Sequence, residues 1–521
     1  MLRSLVAVCC LWGFSTAWAQ TPPPVEWQRN LGGSVDELGT SIEPTNDGGY
    51  ILCGTTFSNN GDVSGNHGNG DIWVVKLSTT GSLQWQRCLG GSQPENGIKA
   101  LQLSGGGYLV LGSTRSDDGD VIGNHGALDF WLTRLDNNGN LLSQRCYGGS
   151  LNDSPADINQ TPDGGFIVVG ASRSVDGDLN TNAGSTDYWV LKLDDNFDIQ
   201  WQRTFGGSGG ETAFGVTLTL DAGYLVNGTS SSSDGDVSGA FGLEDYWVLK
   251  LDTQGNVQWQ RACGGSASDY GVAVSELSDG SIFAMGFSDS ENEDVSAPLG
   301  LNDIWTIRLS SGGQVIGDQT YGGSNLDSGS DQFQTSDGGF IYCGSTKSND
   351  GDIPNNQGLF DGWIFRTDAE GNILWNVTKG GSQSDSFLKI TGTNDGGYIA
   401  IGQSSSSDGD LIGNHGGGDV WIVKFAVDPV GVSENGQPTA LSLYPNPCAG
   451  TLYISLPILQ GFPVSWQVID AQGKLAAAGT LVGSTNEVDA SALKPGAYNF
   501  LLRAGTRQLA MPFVKEETSG W

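Results

Sequence analysis

Carboxylates dominate the chemistry this chain could perform. Seven recur at one strict spacing, Glu37, Glu95, Asp153, Glu211, Asp269, Asp327 and Asp385, each 58 residues from the next. Like charges gathered in this way repel unless donors, protons or cations meet them. Two readings follow. In the first, each carboxylate accepts backbone N–H bonds from the Gly-Gly-Ser triplet just before it, or pairs with a basic residue, and no cofactor is required. In the second, the set coordinates calcium or another hard cation through oxygen. A further series, Asp62, Asp120, Asp178, Asp236, Asp294, Asp352 and Asp410, lies mostly in an Asp-Gly-Asp setting. It resembles part of a calcium loop but lacks the alternating ligands and closing glutamate of an EF-hand. Aspartates that bond within their own turns are the plainer meaning.

Other candidates are sparser. All three histidines, His67, His125 and His415, sit in Gly-Asn-His-Gly at one repeat position, which suggests at most a shared metal or surface patch. Asp71, Asp129, Asp187, Asp245, Asp303, Asp361 and Asp419 each precede a tryptophan by two residues and a lysine or arginine by five. A residue kept in every repeat belongs to the repeat's plan, whereas a site for a single ligand should break the symmetry. Departures include Gln332 in an otherwise apolar column, Glu291 to Gly300 in place of the usual Asp-Gly-Asp loop, Ser281 in place of a turn glycine, and the loop aromatics Phe241, Tyr270 and Phe360. Aromatics on a loop face are candidates for sugar or protein contact. No nucleophile elbow, His-Glu-x-x-His, P-loop or sialidase-type Asp box occurs in the sequence. No catalytic residues are assigned.

The elements that position these residues follow from the period. Gly-Gly-Ser ends at Ser34, Ser92, Ser150, Ser208, Ser266, Ser324 and Ser382, without insertion or deletion. Each unit reads as four strands, in the first unit about Glu37 to Thr45, Tyr50 to Thr56, Asp71 to Leu77 and Leu83 to Leu89. The first two are joined by Asn46-Asp47-Gly48-Gly49, whose Asp-Gly chemistry suits a tight hairpin. A glycine recurs in every second strand, Gly54 in the first, which points to close backbone approach. The ends of the array decide between a ring and an open stack. A fourth-strand motif, Trp27-Gln28-Arg29, precedes the first unit, and the last unit reads Ser433-Glu434-Asn435 where its own should fall. A closed ring repairs both ends at once. The expected fold is all-β, a seven-bladed β-propeller over residues 24–427 with its fourth strands outermost and its first strands lining a channel. Its Gly-Gly-Ser connections and long loops share one face, the expected location of function.

The run Gly-Gly-Ser-x-x-(Asp/Glu)-x-Gly, Asp-Gly-Gly-Tyr, Asp-x-Trp-Val-x-Lys-Leu and Gly-x-Leu-x-Trp resembles the bacterial beta-propeller repeat sometimes labelled SBBP. That resemblance implies the fold and exported proteins of mostly unassigned function. Beyond Phe425 the pattern stops. Residues 428–439 form a Pro/Gly/polar linker, and alternation then resumes in several short strands, as in a small Ig-like β-sandwich. Leu443-Tyr444-Pro445-Asn446-Pro447, Val468-Ile469-Asp470-Ala471-Gln472-Gly473 and Leu493-Lys494-Pro495-Gly496-Ala497-Tyr498, followed by Phe513-Val514-Lys515, resemble a type A C-terminal sorting domain over residues 440–515. The resemblance implies export by the type IX secretion system of Bacteroidetes-like bacteria, with release or attachment at the cell surface. Glu516 to Trp521 extend past the usual lysine-terminated end.

The termini and composition agree with export. Arg3, the apolar run Leu5 to Phe14 and Ala17-Trp18-Ala19 read as a signal peptide over residues 1–19, in which Cys9 and Cys10 come too early for lipoprotein processing. A net charge of −34 argues against nucleic acid and anionic lipid as partners. No later run is long and apolar enough to be a transmembrane segment. Cys53, Cys88, Cys146, Cys263 and Cys343 fall in five different units and read, with Cys448, mostly as buried thiols. The sequence thus predicts a secreted or surface-attached monomer that acts as a binding scaffold for a glycan or protein ligand. The rival reading is a polysaccharide-active enzyme, such as an endoglucanase, using paired carboxylates on the long-loop face. A structural surface component is the third.

Overall fold

The computed structural model describes residues 20–411 and 413–428 and, in the C-terminal region, 442–444, 451–455, 464–470, 474–481, 486–504 and 507–515. The proposed signal peptide, the linker after Asp428, Cys448 and the extension 516–521 lie outside the described residues. Among those described, 28 strands between Val25 and Phe425 form seven four-stranded antiparallel sheets, and there is no helix. Among the described residues no helix is therefore long and apolar enough to cross a membrane.

Blade 1 comprises Glu37–Pro44, Tyr50–Thr56, Asp71–Leu77 and Leu83–Leu89, hydrogen-bonded in that order. Blades 2 to 6 repeat this plan. In blade 7, Asp385–Gly392, Tyr398–Ser404 and Asp419–Phe425 are completed by Val25–Leu31, with Gln28 opposite Val423 and Leu31 opposite Val420. The borrowed strand also reproduces a side-chain contact. Gln28 accepts from Trp421 Nε1 at 3.3 Å, as Gln86 of blade 1 accepts from Trp73 at 2.9 Å. The ring is closed.

The third-strand tryptophans hold the blades together. Trp73, Trp131, Trp189, Trp247, Trp305, Trp363 and Trp421 are fully buried, each contributing roughly 4–6 kcal/mol of transfer free energy. Trp73 packs in one cluster with Leu52 and Val75 of blade 1 and Ile399, Ile401 and Ile422 of blade 7, so the core is continuous across the closure. Outside blade 2, the basic residues of the third strands turn to the tight-turn aspartates: Lys76 meets Asp47 at 3.0 Å and Lys192 meets Asp163 at 2.9 Å. The recurrent strand glycine has the expected steric cause, because a Cβ on Gly54 would lie 2.1 Å from the Leu38 carbonyl.

Residues 432–521 form a separate compact unit. Within it, Ser442–Tyr444, Thr451–Ser455 and Asn486–Asp489 make one antiparallel sheet. Leu475–Leu481, Val464–Asp470, Gly496–Ala504 and Arg507–Lys515 make another. Val468 and Phe500, opposite each other, are buried, and Trp466 stacks on Phe500 at 5.7 Å.

Candidate binding cavity in the central channel

Each first strand carries a bulge at the same point, between Gly39 and Ser41 in blade 1 and between Ala213 and Gly215 in blade 4. The extra residue shifts the inward-facing set, so Phe214, Gly215 and Thr217 all border one cavity of about 230 Å³. All seven first strands contribute to this cavity, from Glu43 in blade 1 to Lys389 in blade 7. It is the central channel, at the half of the inner strands nearer the tight turns. Function was expected on the long-loop face; the cavity lies elsewhere, because the bulge gathers the second halves of the inner strands around the axis.

Its walls are where the sevenfold plan breaks. One channel position reads Ser41, Lys99, Asp157, Gly215, Ala273, Asp331 and Lys389. Where the residue is polar, it stitches neighbouring blades. The Ala100 amide donates to Ser41 Oγ at 3.1 Å, Val216 to Asp157 at 3.1 Å and Ile390 to Asp331 at 3.0 Å. Lys99 Nζ meets Asp157 at 2.9 Å, and Lys389 meets Asp331 at 2.9 Å. Gly215 and Ala273 stitch nothing, and the space they vacate opens the cavity on the side of blades 4 and 5.

Two amides in the residues that border this space are buried without partners. Asn227, in the second strand of blade 4, lies opposite Gly215 and is fully buried, yet neither its Oδ1 nor its Nδ2 makes a hydrogen bond. A Cβ on Gly215 would sit 2.7 Å from Asn227 Oδ1, so glycine is what leaves room for this amide. Gln332, 9% exposed, likewise leaves Oε1 and Nε2 unpaired. In the other six blades these positions are apolar: Cys53, Leu111, Val169, Met285, Cys343 and Ile401 for Asn227, and Ile42, Ala100, Ile158, Val216, Val274 and Ile390 for Gln332. Each unmade hydrogen bond costs about 1–3 kcal/mol in an empty site.

Glu43 completes the set. It is half-buried, with no hydrogen bond or ion pair among the described residues. Burial pushes its carboxyl above the usual carboxylate range, against the opposing pull of Lys99 and Lys389. Burial works against the Lys389 ammonium, yet Asp331 and Asp157 hold it above the usual lysine range. With all groups ionised, three carboxylates and two ammonium groups leave the cavity one negative charge in surplus. Sequence reasoning missed Asn227 and Glu43. Comparing the seven second strands column by column would have found the first.

The other candidates fall outside this cavity. Glu37, Glu95, Asp153, Glu211, Asp269, Asp327 and Asp385 are at most 1% exposed and stay within their own blades. Glu37 Oε2 accepts from Gly33 N at 2.7 Å, and Oε1 from Thr56 Oγ1 at 2.8 Å and Ser58 N at 3.2 Å. Asp385 does the same with Gly381, Ser404 and Ser406. In both blades the connection amide and the second-strand hydroxyls bond these oxygens. Among the described residues no group of three or more His, Cys, Asp or Glu side chains could hold a metal ion.

The long-loop aspartates serve their loops. Asp62 Oδ2 accepts from Gly32 N at 3.2 Å, and Asp118 Oδ1 accepts from Ser92 N at 2.7 Å. The divergent fifth loop keeps this geometry, with Asn292 accepting from Ser266 N at 2.9 Å and Glu293 taking the left-handed conformation of the usual glycine at φ 58°. The histidines stay apart, each bonded through Nδ1 to its own aspartate, His67 to Asp71, His125 to Asp129 and His415 to Asp419. Nor are the loop aromatics brought together. Tyr270 stacks on Phe287 at 4.9 Å, Lys347 lies over the Phe360 ring at 5.7 Å, and Phe241 is 42% exposed.

Comparison with known proteins bears on the C-terminal unit first. Residues 442–516 match the family model described as the secretion system C-terminal sorting domain. The C-terminal unit is a sorting domain. The chain is accordingly a secreted or surface-attached β-propeller that carries a type IX sorting domain. The chain is 28% identical over 240 residues to the regulatory protein FlaEY of Caulobacter vibrioides, covering 44% of this chain but 23% of that protein. Among solved structures, PorZ, an essential bacterial surface component of the type IX secretion system of Porphyromonas gingivalis, is 13% identical with a TM-score of 0.38 over 95% of this chain and 61% of PorZ. A structure of BBS1N in complex with ARL6DN is 10% identical with a TM-score of 0.40, covering 78% of this chain and 97% of that one.

Proposed function

We propose that this exported propeller is an extracellular binding scaffold for a glycan or protein ligand, and that it uses the channel cavity. The observation that supports this reading is the location of the asymmetry. A ring built on one plan departs from it at Gly215, Asn227, Ala273 and Gln332, and all four border one cavity. On a rigid scaffold, unpaired polar groups around a preformed recess are what a ligand completes. The carboxylates in the wall suit holding better than hydrolysis, since Asp157 and Asp331 are each neutralised by a lysine.

The test is a panel of polysaccharides and cell-surface proteins offered to the purified full chain, with binding and reducing-end release scored together, with and without chelator. The expected result is binding without new reducing ends. Release of reducing ends overturns the scaffold reading in favour of an enzyme, and absence of binding to every member overturns it outright.

A further inference from the structure

The cavity wall specifies more than that something binds. About 230 Å³ lies below the range of drug-sized sites, roughly 300–1,000 Å³. The occupant is therefore one small unit, free or at the end of a chain. Asn227 and Gln332 each offer two N–H donors and one carbonyl acceptor, all unused. A partner that both donates and accepts satisfies them, as vicinal hydroxyls do. Phe214 and Phe333 border the same space and offer apolar faces to C–H groups. Glu43 adds an acceptor with no donor of its own, and the surplus negative charge favours a cationic substituent. The lysines are already taken by Asp157 and Asp331, so a ligand carboxylate finds no free counter-charge.

We propose that the channel of this propeller binds a single carbohydrate unit, an amino sugar in preference to a neutral one, through Asn227, Gln332 and Glu43. The proposal rests on the scaffold reading and assigns its ligand class. The amides hold the hydroxyls, Glu43 meets the ammonium group, and the phenylalanines cover the ring. Gly215 and Ala273 are small because any larger side chain would stand in the ligand's place.

Calorimetric titration of the full chain with glucosamine, glucose and glycine tests it. Saturable binding of glucosamine is expected, with glucose at least tenfold weaker and no binding of glycine. Asn227→Val and Gln332→Ile install residues that other blades carry at these positions; both should abolish binding while leaving the melting temperature equal or higher. Glu43→Gln should remove the preference for glucosamine and leave glucose binding intact. Ala273→Lys, the residue of blade 2, should block binding without touching either amide.

Several results overturn the proposal: no saturable binding of either sugar, sugar binding that survives the amide substitutions, glycine binding as well as glucosamine, or a melting temperature several degrees lower in Asn227→Val, which would show the amide to be a structural group. The two readings separate cleanly. A polymer or protein that binds the chain and still binds Asn227→Val and Ala273→Lys leaves the scaffold standing and removes the channel sugar site.

Discussion

Replacing Asp361 by asparagine should stabilise the propeller at neutral pH and leave it unchanged at pH 4. Asp361 opens the third strand of blade 6, and its Oδ2 accepts from the Gln357 amide at 2.7 Å. Its Oδ1 is buried without a partner. Another acceptor lies close by: a Cβ on Gly380 would sit 2.5 Å from Asp361 Oδ1 and 2.9 Å from Asp385 Oδ2. The same orphaned oxygen recurs in Asp71, Asp129, Asp187, Asp245, Asp303 and Asp419, once at every junction. Burial, with the Asp385 and Asp410 charges added, pushes the Asp361 carboxyl from 3.8 up to about 6. The folded state therefore holds the proton more tightly than the unfolded chain. Stability is complete for this group below pH 3.8 and is lost as pH rises toward 6. At about 1.4 kcal/mol per unit, the loss is about 3 kcal/mol as an upper bound. Asparagine keeps an acceptor for Gln357 and turns a donor toward Asp385. Urea unfolding of Asp361→Asn should show about 2–3 kcal/mol of added stability at pH 7.5 and none at pH 4. Equal destabilisation at both pH values would refute the reasoning, and a loss at pH 7.5 that chelator reproduces in the parent protein would mean that a bound cation already neutralises the junction.

Three further outcomes follow from the same structure. Arg366, 2% exposed, bridges Asp337 at 2.6 Å and the buried Asp428; Arg366→Met should cost about 3–5 kcal/mol by urea unfolding at pH 7. Deleting residues 20–31 strips blade 7 of its outer strand and should lower the melting temperature by more than 10 °C, as is expected when one junction of a closed ring opens; an unchanged melt would contradict closure. Burial pushes the thiols of Cys53, Cys88, Cys146 and Cys263 up to about 12, and Cys343 is raised as well; none of the five should react with a thiol reagent at pH 8 in the native protein, and all should react in denaturant.

The strands were legible because the repeat states each of them seven times. Asp71–Leu77 and Leu83–Leu89 lie where the pattern placed them, since a unit that must stack on copies of itself tolerates no drift in its apolar positions. Closure was legible for the same reason, through Trp27-Gln28-Arg29 at one end and its lack at the other. The site was not. A bulge leaves no mark in an alternation pattern, yet it decides that both Phe214 and Gly215 border the channel. The sequence draws the eye to the fifth loop and to the loop aromatics, but Glu293 takes up the glycine conformation and Tyr270 packs on its own blade. Gln332 was visible as the exception in an apolar column. Its meaning depended on Asn227, more than a hundred residues away, and on the glycine that leaves room for it.

Hydrogen exchange with and without a bound ligand tests the channel most directly. For whichever saccharide the chain retains, slowed exchange should concentrate in residues 214–217, 272–275 and 331–333 on the inner strands of blades 4, 5 and 6. Protection confined instead to the long loops, such as residues 58–70 and their counterparts, would place the ligand on the opposite face and contradict the account.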